Sequence, residues 1–436
     1  MKKKLLAAAA GLAAASLVVA ACGGGDDDNA PSAAERTGTL NVWLMQDASG
    51  EAWAPIVTQA TTEFNKKYPK VQVKVTTLQW VDGQQRLNTA FAGNSPPDVA
   101  EVGNTWTSGF AASGGLADLT QYKSEFPNSS TWLKSLEDAG TYDGKLYGVP
   151  YYAGSRVVTY RKDMFAQAGI TAPPTSMDEL VADLDKLNAT FASKIKNFSA
   201  FYIPGQHWYL AGTLIADQGV AQPWGEFKDG TWVANVDSPA SIKGLELFKE
   251  LQSKYSKADP RGEEADQAYR MGGQKNIAMF YGASWELGEV GNKDQGGDPK
   301  LVDKLGQFAL PSINPGQTAP AFLGGSHLVI PVKSKQQDLA REWISAYTNT
   351  QIQTSLVNDV GVIPNTTTLL SLKADDPAFQ ASQNSWFVPT SKNWASVEGQ
   401  RILQNTLVDI ATGSKSVQDA ATAATQEIQQ ALDRGL

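Results

Sequence analysis

Residues 39–78 read TLNVWLMQDASGEAWAPIVTQATTEFNKKYPKVQVKVTTL, and the two ends of that stretch decide the fold. TLNVWLM (39–45) and VQVKVTTL (71–78) are short runs rich in β-branched and apolar residues, so both are predicted strands. RVVTYR (156–161), NIAMF (276–280) and HLVIPV (327–332) have the same character further along. Helical segments lie between them and carry start signals. Ser176 with Glu179 spaces a capping box before LVADLDKL, and Ser334 with Gln337 spaces another before LAREWISAY. Strands alternating with helices argue for an α/β fold with largely parallel sheets. Roughly 400 residues follow the N-terminal leader, more than one hydrophobic core organises, so two domains are expected. No proline- or serine-rich linker divides them and no solenoid-period repeat is visible. The chain is therefore expected to cross between two lobes more than once.

The N-terminus bears on where the protein works. MKKK opens the chain and LLAAAAGLAAASLVVAA (5–21) follows it. That apolar core is uncharged and shorter than the roughly 20 residues needed to span a bilayer. A basic start, an apolar core and small residues at its end are the anatomy of a bacterial secretory signal over residues 1–21. Cys22, the only cysteine of the chain, comes next. The run has three readings: a retained anchor, a signal with an A-x-A-type site, or a lipoprotein signal. Val19-Ala20-Ala21-Cys22 resembles the lipobox of bacterial lipoproteins, which implies a diacylglycerol on the Cys22 sulfur and cleavage just before it. A thioether would also explain one cysteine in an oxidising compartment. After Cys22, GGGDDDNAPSAAERTG is small, polar and unpatterned, so residues 22–38 are expected to form a flexible tether.

Charge and motif content exclude several functions. The chain carries 37 Lys and Arg against 45 Asp and Glu, and loss of the three lysines of MKKK takes the formal charge from −8 to −11. That balance argues against nucleic acid, whose binding requires lysine and arginine on phosphates. It also argues against a polybasic membrane contact, which leaves anchoring to the lipid, and two acyl chains hold where one does so marginally. No G-x-S-x-G elbow, phosphate-binding G-x-x-x-x-G-K-[ST] loop, H-E-x-x-H helix or EF-hand loop is present. The two histidines, His207 and His327, lie far apart in sequence, so no metal site and no cofactor are expected. No catalytic residue is assigned. A glycosidase needs only two carboxylates, and Glu286, beside Trp285, is the one such a reading would use.

The positive signal is aromatic. Twelve tryptophans and thirteen tyrosines are present, and Trp43, Trp80, Trp106, Trp208, Trp285 and Trp394 lie near turn residues. Each can serve as packing, since indole is large and needs only a partner for its N–H. Beside amides and carboxylates indole has a second use. The C–H face of a pyranose stacks on it, while the equatorial hydroxyls take planar hydrogen-bonding groups. The set suits a neutral, polyhydroxylated ligand.

At this point the chain resembles the family 1 extracellular solute-binding proteins, the sugar-binding lipoproteins of ABC importers, of the actinobacterial kind. Six segments carry the resemblance in order: TLNVWLMQD, FNKKYPKVQVKV, LNTAFAGNSPPDVAEVGNTWTSGFAASGGLADLT, YDGKLYGVPYYAGSRVVTYRKDMFAQAGI, MGGQKNIAMFYGASWE and LGGSHLVIPVKSK. Where maltose-binding relatives carry Gly-Pro-Trp, this chain has Gly282-Ala283-Ser284-Trp285. The resemblance implies a two-lobed periplasmic-binding-protein fold, each lobe a mostly parallel sheet flanked by helices, with ligand in the cleft between them. It implies a first lobe over 39–152 returning near 327–365, and a second over 156–323 with 366–436.

It also implies a site. Gln46 and Asp47 would meet sugar hydroxyls; Asn104 would clamp, with Thr105 beside it and Trp106 as a platform. Ser155 and Arg156 would follow the crossing, with Arg156 open to a structural ion pair instead. Trp285 and Glu286 would line the cleft, Gly324, Gly325 and Ser326 would let backbone approach ligand, and Asn393 and Trp394 would supply an aromatic from the second lobe. Trp80 and Trp208 complete the candidates. The expected protein is a monomer, lipid-anchored through Cys22 on the extracellular face of the cytoplasmic membrane. It would capture a di- to short oligosaccharide for ABC permease subunits. A polyol- or peptide-binding protein and a secreted glycoside hydrolase are the alternatives.

Overall fold

The computed structural model describes residues 32–50 and 52–434. The signal over 1–21, Cys22 and the tether as far as residue 31 lie outside the described residues. The rest of the expected tether is docked: the Arg36 guanidinium pairs with Asp338 at 2.6 Å.

The opening stretch folds as its pattern indicates. Strand β1 (Gly38–Met45) and strand β2 (Val71–Leu78) pair in parallel along their whole length, from Gly38 with Val71 to Met45 with Leu78. Helix α1 (Ala54–Lys67) joins them, with Pro55 near its start, where no backbone N–H is needed, and Lys66 and Lys67 in its last turn. Strand β3 (Val99–Gly103) adds on the other side of β1, also parallel. Helix α2 (Trp80–Ala92) makes the connection from β2.

The chain then leaves this sheet and returns to it. Strand β4 (Gly148–Gly154) runs directly into strand β5 (Arg156–Arg161) through Ser155. Strand β6 (Met279–Ala283) and strand β7 (Leu305–Phe308) flank β5 on either side. Strand β8 (Gly324–Val329) then enters the first sheet between β4 and β3, and strand β9 (Ile363–Pro364) closes its edge. The first sheet has the order β9-β4-β8-β3-β1-β2. Two cores follow from this path. One gathers residues from 40–152 and 328–362, the other residues from 158–322 and 386–432. Smaller clusters, including Ala153, Val157, Ala321 and Leu323, pack where the chain crosses.

Three expectations need correction. The sheets are less parallel than the alternation suggests. β8 is antiparallel to both β3 and β4, and β5 is antiparallel to both β6 and β7. The reason is the crossing: β5 and β8 enter their sheets from the junction, while β1, β3, β4 and β6 run towards it. The predicted strand 276–280 forms three residues late, as β6, and the one at 327–332 forms early, as β8. The second capping box is absent. The Ser334 hydroxyl donates to buried Asp98 at 2.7 Å, and the helix over Gln337–Tyr347 begins without a side-chain cap. Ser176 does cap its helix (Met177–Phe191), while Glu179 reaches past it to the Thr175 N–H at 2.7 Å.

Candidate functional site

The strands that run towards the junction end together there. β1 ends at Met45, and Gln46 and Asp47 form the turn after it. The Asp47 carboxylate accepts the Trp80 indole N–H at 2.7 Å, which ties the start of α2 to the end of β1. Trp106 follows β3 and meets Trp80 edge-on, with ring centroids 5.6 Å apart. Gly103 gives the Trp106 ring room, since a Cβ there would lie 3.3 Å from it. Gly103 pairs with Ser326 on β8, and Gly324 on β8 pairs with Gly154 on β4. A Cβ on Gly154 would run into the Trp285 ring, so that indole, 49% exposed, lies over the crossing itself. An aromatic rim thus runs along the edge of the first sheet, with Trp285 reaching it from the second body.

Beyond the crossing the groups are polar. The Arg156 guanidinium lies 3.5 Å above the Tyr209 ring and pairs with Glu264 at 3.2 Å. Burial works against its charge, but Glu264, Tyr209 and Glu286 around it outweigh that and raise its pKa. Tyr209 stacks on Trp208 and leans on Phe322. The Glu286 carboxylate accepts from the Ala283 N–H at 2.7 Å and from Gln267 at 2.9 Å; burial pushes it up to about 7, and Glu264 adds to that. Glu398 accepts the Trp394 N–H at 2.7 Å and is also pushed up to about 7 by burial. Beneath the first wall, Glu101 accepts from the Met45 N–H at 2.9 Å and rises to about 7 for the same reason. His207 accepts the Leu210 N–H on Nδ1, so Nε2 donates to the Tyr281 carbonyl at 2.7 Å. The Glu264 carboxylate, 3.0 Å from that Nδ1, then has an oxygen with no donor. The wall is rich in acceptors, with Arg156 as its donor.

Asp47, Trp80, Trp106, Arg156, Trp285 and Glu286 come together at this junction, with Gln46 and Thr105 partly exposed beside them. The other expected residues have different work. Trp208 is buried beneath Tyr209. Trp394 is fully buried in the second core, an anchor for its helix rather than a platform. Asn393 donates to the Leu432 and Arg434 carbonyls and pins the C-terminal helix. Asn104 is buried and donates to the Leu323 carbonyl at 3.2 Å. Ser155 is buried within the crossing. Gly324, Gly325 and Ser326 are strand residues; Gly325 has φ +146°, and a Cβ there would run into the Tyr152 carbonyl. Gly325 thus lets β8 pair closely with β4.

Sequence reasoning missed Tyr209, Glu264 and Glu398. Glu264 sits in the polar loop RGEEAD and gives no signal. Glu398 had one, because an acid four residues after a tryptophan shares its helix face. Both histidines are buried, with His327 hydrogen-bonded to Thr107 at 2.7 Å and to the Leu136 carbonyl at 2.9 Å. Among the described residues no cluster of three His, Cys, Asp or Glu side chains suits a metal, and no helix is long and apolar enough to cross a membrane.

Two bodies linked by crossing strands, each with its own core, are the architecture of the two-lobed periplasmic binding proteins. The chain belongs to the bacterial extracellular solute-binding proteins, whose family model matches residues 46–354. It is 33% identical to the diacetylchitobiose binding protein DasA of Streptomyces coelicolor, over 88% of this chain and 87% of that one. Among solved structures, the GacH receptor of Streptomyces glaucescens superposes with a TM-score of 0.76 at 21% identity, covering 92% of this chain and all of that one. An ABC transporter solute-binding protein of Thermotoga lettingae gives 0.74 at 22% identity, over 90% and 99%.

Proposed function

We propose that this protein captures a short neutral oligosaccharide between its lobes and delivers it to the permease subunits of an ABC importer. The observation that carries this is the pairing of walls at the junction. Asp47, Trp80 and Trp106 offer stacking faces with a hydroxyl acceptor, and Arg156, Glu264 and Glu286, beyond the crossing, offer a donor among acceptors. Faces for pyranose C–H groups and fixed polar groups for equatorial hydroxyls are the two demands of a sugar. The likeness to the diacetylchitobiose-binding protein makes that disaccharide the first to try. Gln46, Thr105 and Trp285 complete the set, and closure about residues 154–156 and 323–324 would bury the ligand. No catalytic step is assigned: Glu286 is engaged by Ala283 and Gln267.

The protein works as a monomer on the extracellular face of the cytoplasmic membrane, held by a lipid on Cys22 once residues 1–21 are removed. Mass spectrometry of the mature N-terminus tests that anchor: an unmodified Cys22, or cleavage elsewhere, refutes it. A thermal-shift panel tests the ligand, with diacetylchitobiose, malto-, xylo- and trehalose-type sugars, a polyol and a dipeptide. The matching solute at about 100 times its Kd should add about 2.7 kcal/mol. A shift with the polyol or the dipeptide alone overturns the oligosaccharide reading, and new products overturn the non-enzymatic one.

A further inference from the structure

Trp285 is the most exposed tryptophan among the described residues, so packing alone does little to hold it. Its ring lies against Gly154 at the end of β4. What fixes the indole is the turn that carries it. That turn leaves β6 through Ala283 and Ser284, and hydrogen bonds secure it from three directions. The Ala283 N–H donates to the Glu286 carboxylate at 2.7 Å, just beyond the turn. The Ser284 N–H donates to the Ser155 carbonyl at 3.2 Å, in the crossing. The Ser284 carbonyl accepts from Gln307 Nε2 at 2.7 Å.

Gln307 is the remote member of this set. It lies on β7, which is separated from β6 by β5, and it pairs in register with Thr159 of β5. Its side chain therefore reaches the turn across the middle strand. On the way the same Nε2 donates to the buried Thr159 hydroxyl at 3.1 Å. The Ser284 carbonyl decides which end of the amide faces the turn, because an amide oxygen there would set acceptor against acceptor. We propose that Gln307 is a positioning residue for Trp285: it ties the Ser284 carbonyl to the second-lobe sheet and so fixes the indole over the crossing. Ser155 ties the same turn to the crossing itself, so sheet and crossing together set where the indole stands. A stacking face already in place costs less to order when a sugar ring arrives than a mobile one does.

Two readouts test this, and the second rests on the oligosaccharide reading while the first does not. The first is fluorine NMR of the sugar-free protein labelled with fluorotryptophan, with the Trp285 resonance identified by its loss in Trp285→Phe. Gln307→Leu and Gln307→Glu should each shift or broaden that resonance and leave those of the buried Trp224, Trp343 and Trp394 in place. Gln307→Glu keeps the size of a half-buried side chain and removes only the donor, so it serves where Gln307→Leu folds poorly. The second is calorimetry with diacetylchitobiose. Gln307→Leu should weaken binding about fivefold, the scale of one neutral hydrogen bond, and should weaken it no further in a Trp285→Ala background. A Trp285 resonance unmoved in both variants overturns the positioning role. So does a change spread over all the tryptophan resonances, which would make Gln307 a packing residue of the sheet, and so does an additive cycle. Failure of wild type to bind the disaccharide counts against the ligand, and the NMR result still decides the role of Gln307.

Discussion

The two walls of the junction are built differently. The first-lobe wall is assembled from the ends of adjacent parallel strands, and its groups are close in space because β1 and β3 are neighbours in the sheet. Asp47 fixes Trp80, Trp80 supports Trp106, and Gly103 leaves room for the Trp106 ring. The second-lobe wall is gathered from remote places: Arg156 from the crossing, Tyr209 from a helix start, Glu264 from a loop and Glu398 from the C-terminal region. One wall offers surface, the other offers directed polar groups. The difference shows that aromatic platforms can stand on local geometry, whereas buried charge needs partners from across a domain.

Substitutions should separate packing from recognition. The largest effect belongs to Trp394, which has no exposed surface. Trp394→Ala should lower the unfolding free energy by about 3–5 kcal/mol, as for any fully buried indole. A variant that melts like wild type would return Trp394 to the binding surface.

Next in size is a pH effect. Glu101 and Glu286 both rise from 4.5 to about 7 because burial disfavours their charge. Folded carboxyls of this kind hold a proton more tightly than the unfolded chain does. Their contribution is full below the unfolded value and is lost as pH climbs through the folded one, by at most about 3 kcal/mol per group. Thermal melts from pH 4.5 to 8 should show stability falling, with Glu101→Gln and Glu286→Gln each flattening the slope. A slope that neither substitution changes would show that both carboxyls stay charged.

The smallest of these effects is the most specific. Trp106→Ala should leave the melt near wild type and weaken sugar binding by about 2 kcal/mol, roughly thirtyfold in Kd. A large melting loss with intact affinity would make Trp106 a packing residue and remove the contrast between the walls.

How much was legible in advance follows the same division. The strand at 39–45, the strand at 71–78 and the α/β alternation were readable because local pattern determines them. Strand direction was not, because β8 is antiparallel only through its return from the other lobe. Trp80 and Trp106 were singled out as aromatic residues beside turn formers, and Asp47 through the family resemblance; the structure brings the three side by side. Trp394 shares that signature yet is buried, since adjacent asparagine and serine describe a helix start as well as a sugar contact. Gly325, expected at a ligand, also has a backbone reason to be glycine, since a Cβ there would run into the neighbouring strand. Glu264 left no trace, because its role depends on Arg156, more than a hundred residues earlier.

The most direct test is a crystal structure of the diacetylchitobiose complex. A sugar ring should stack on Trp106 or Trp285, with hydroxyl or N–H groups on Asp47 and on the Arg156, Glu264 and Glu286 wall. A sugar seated elsewhere, or held by one wall while the other stays in water, would contradict it.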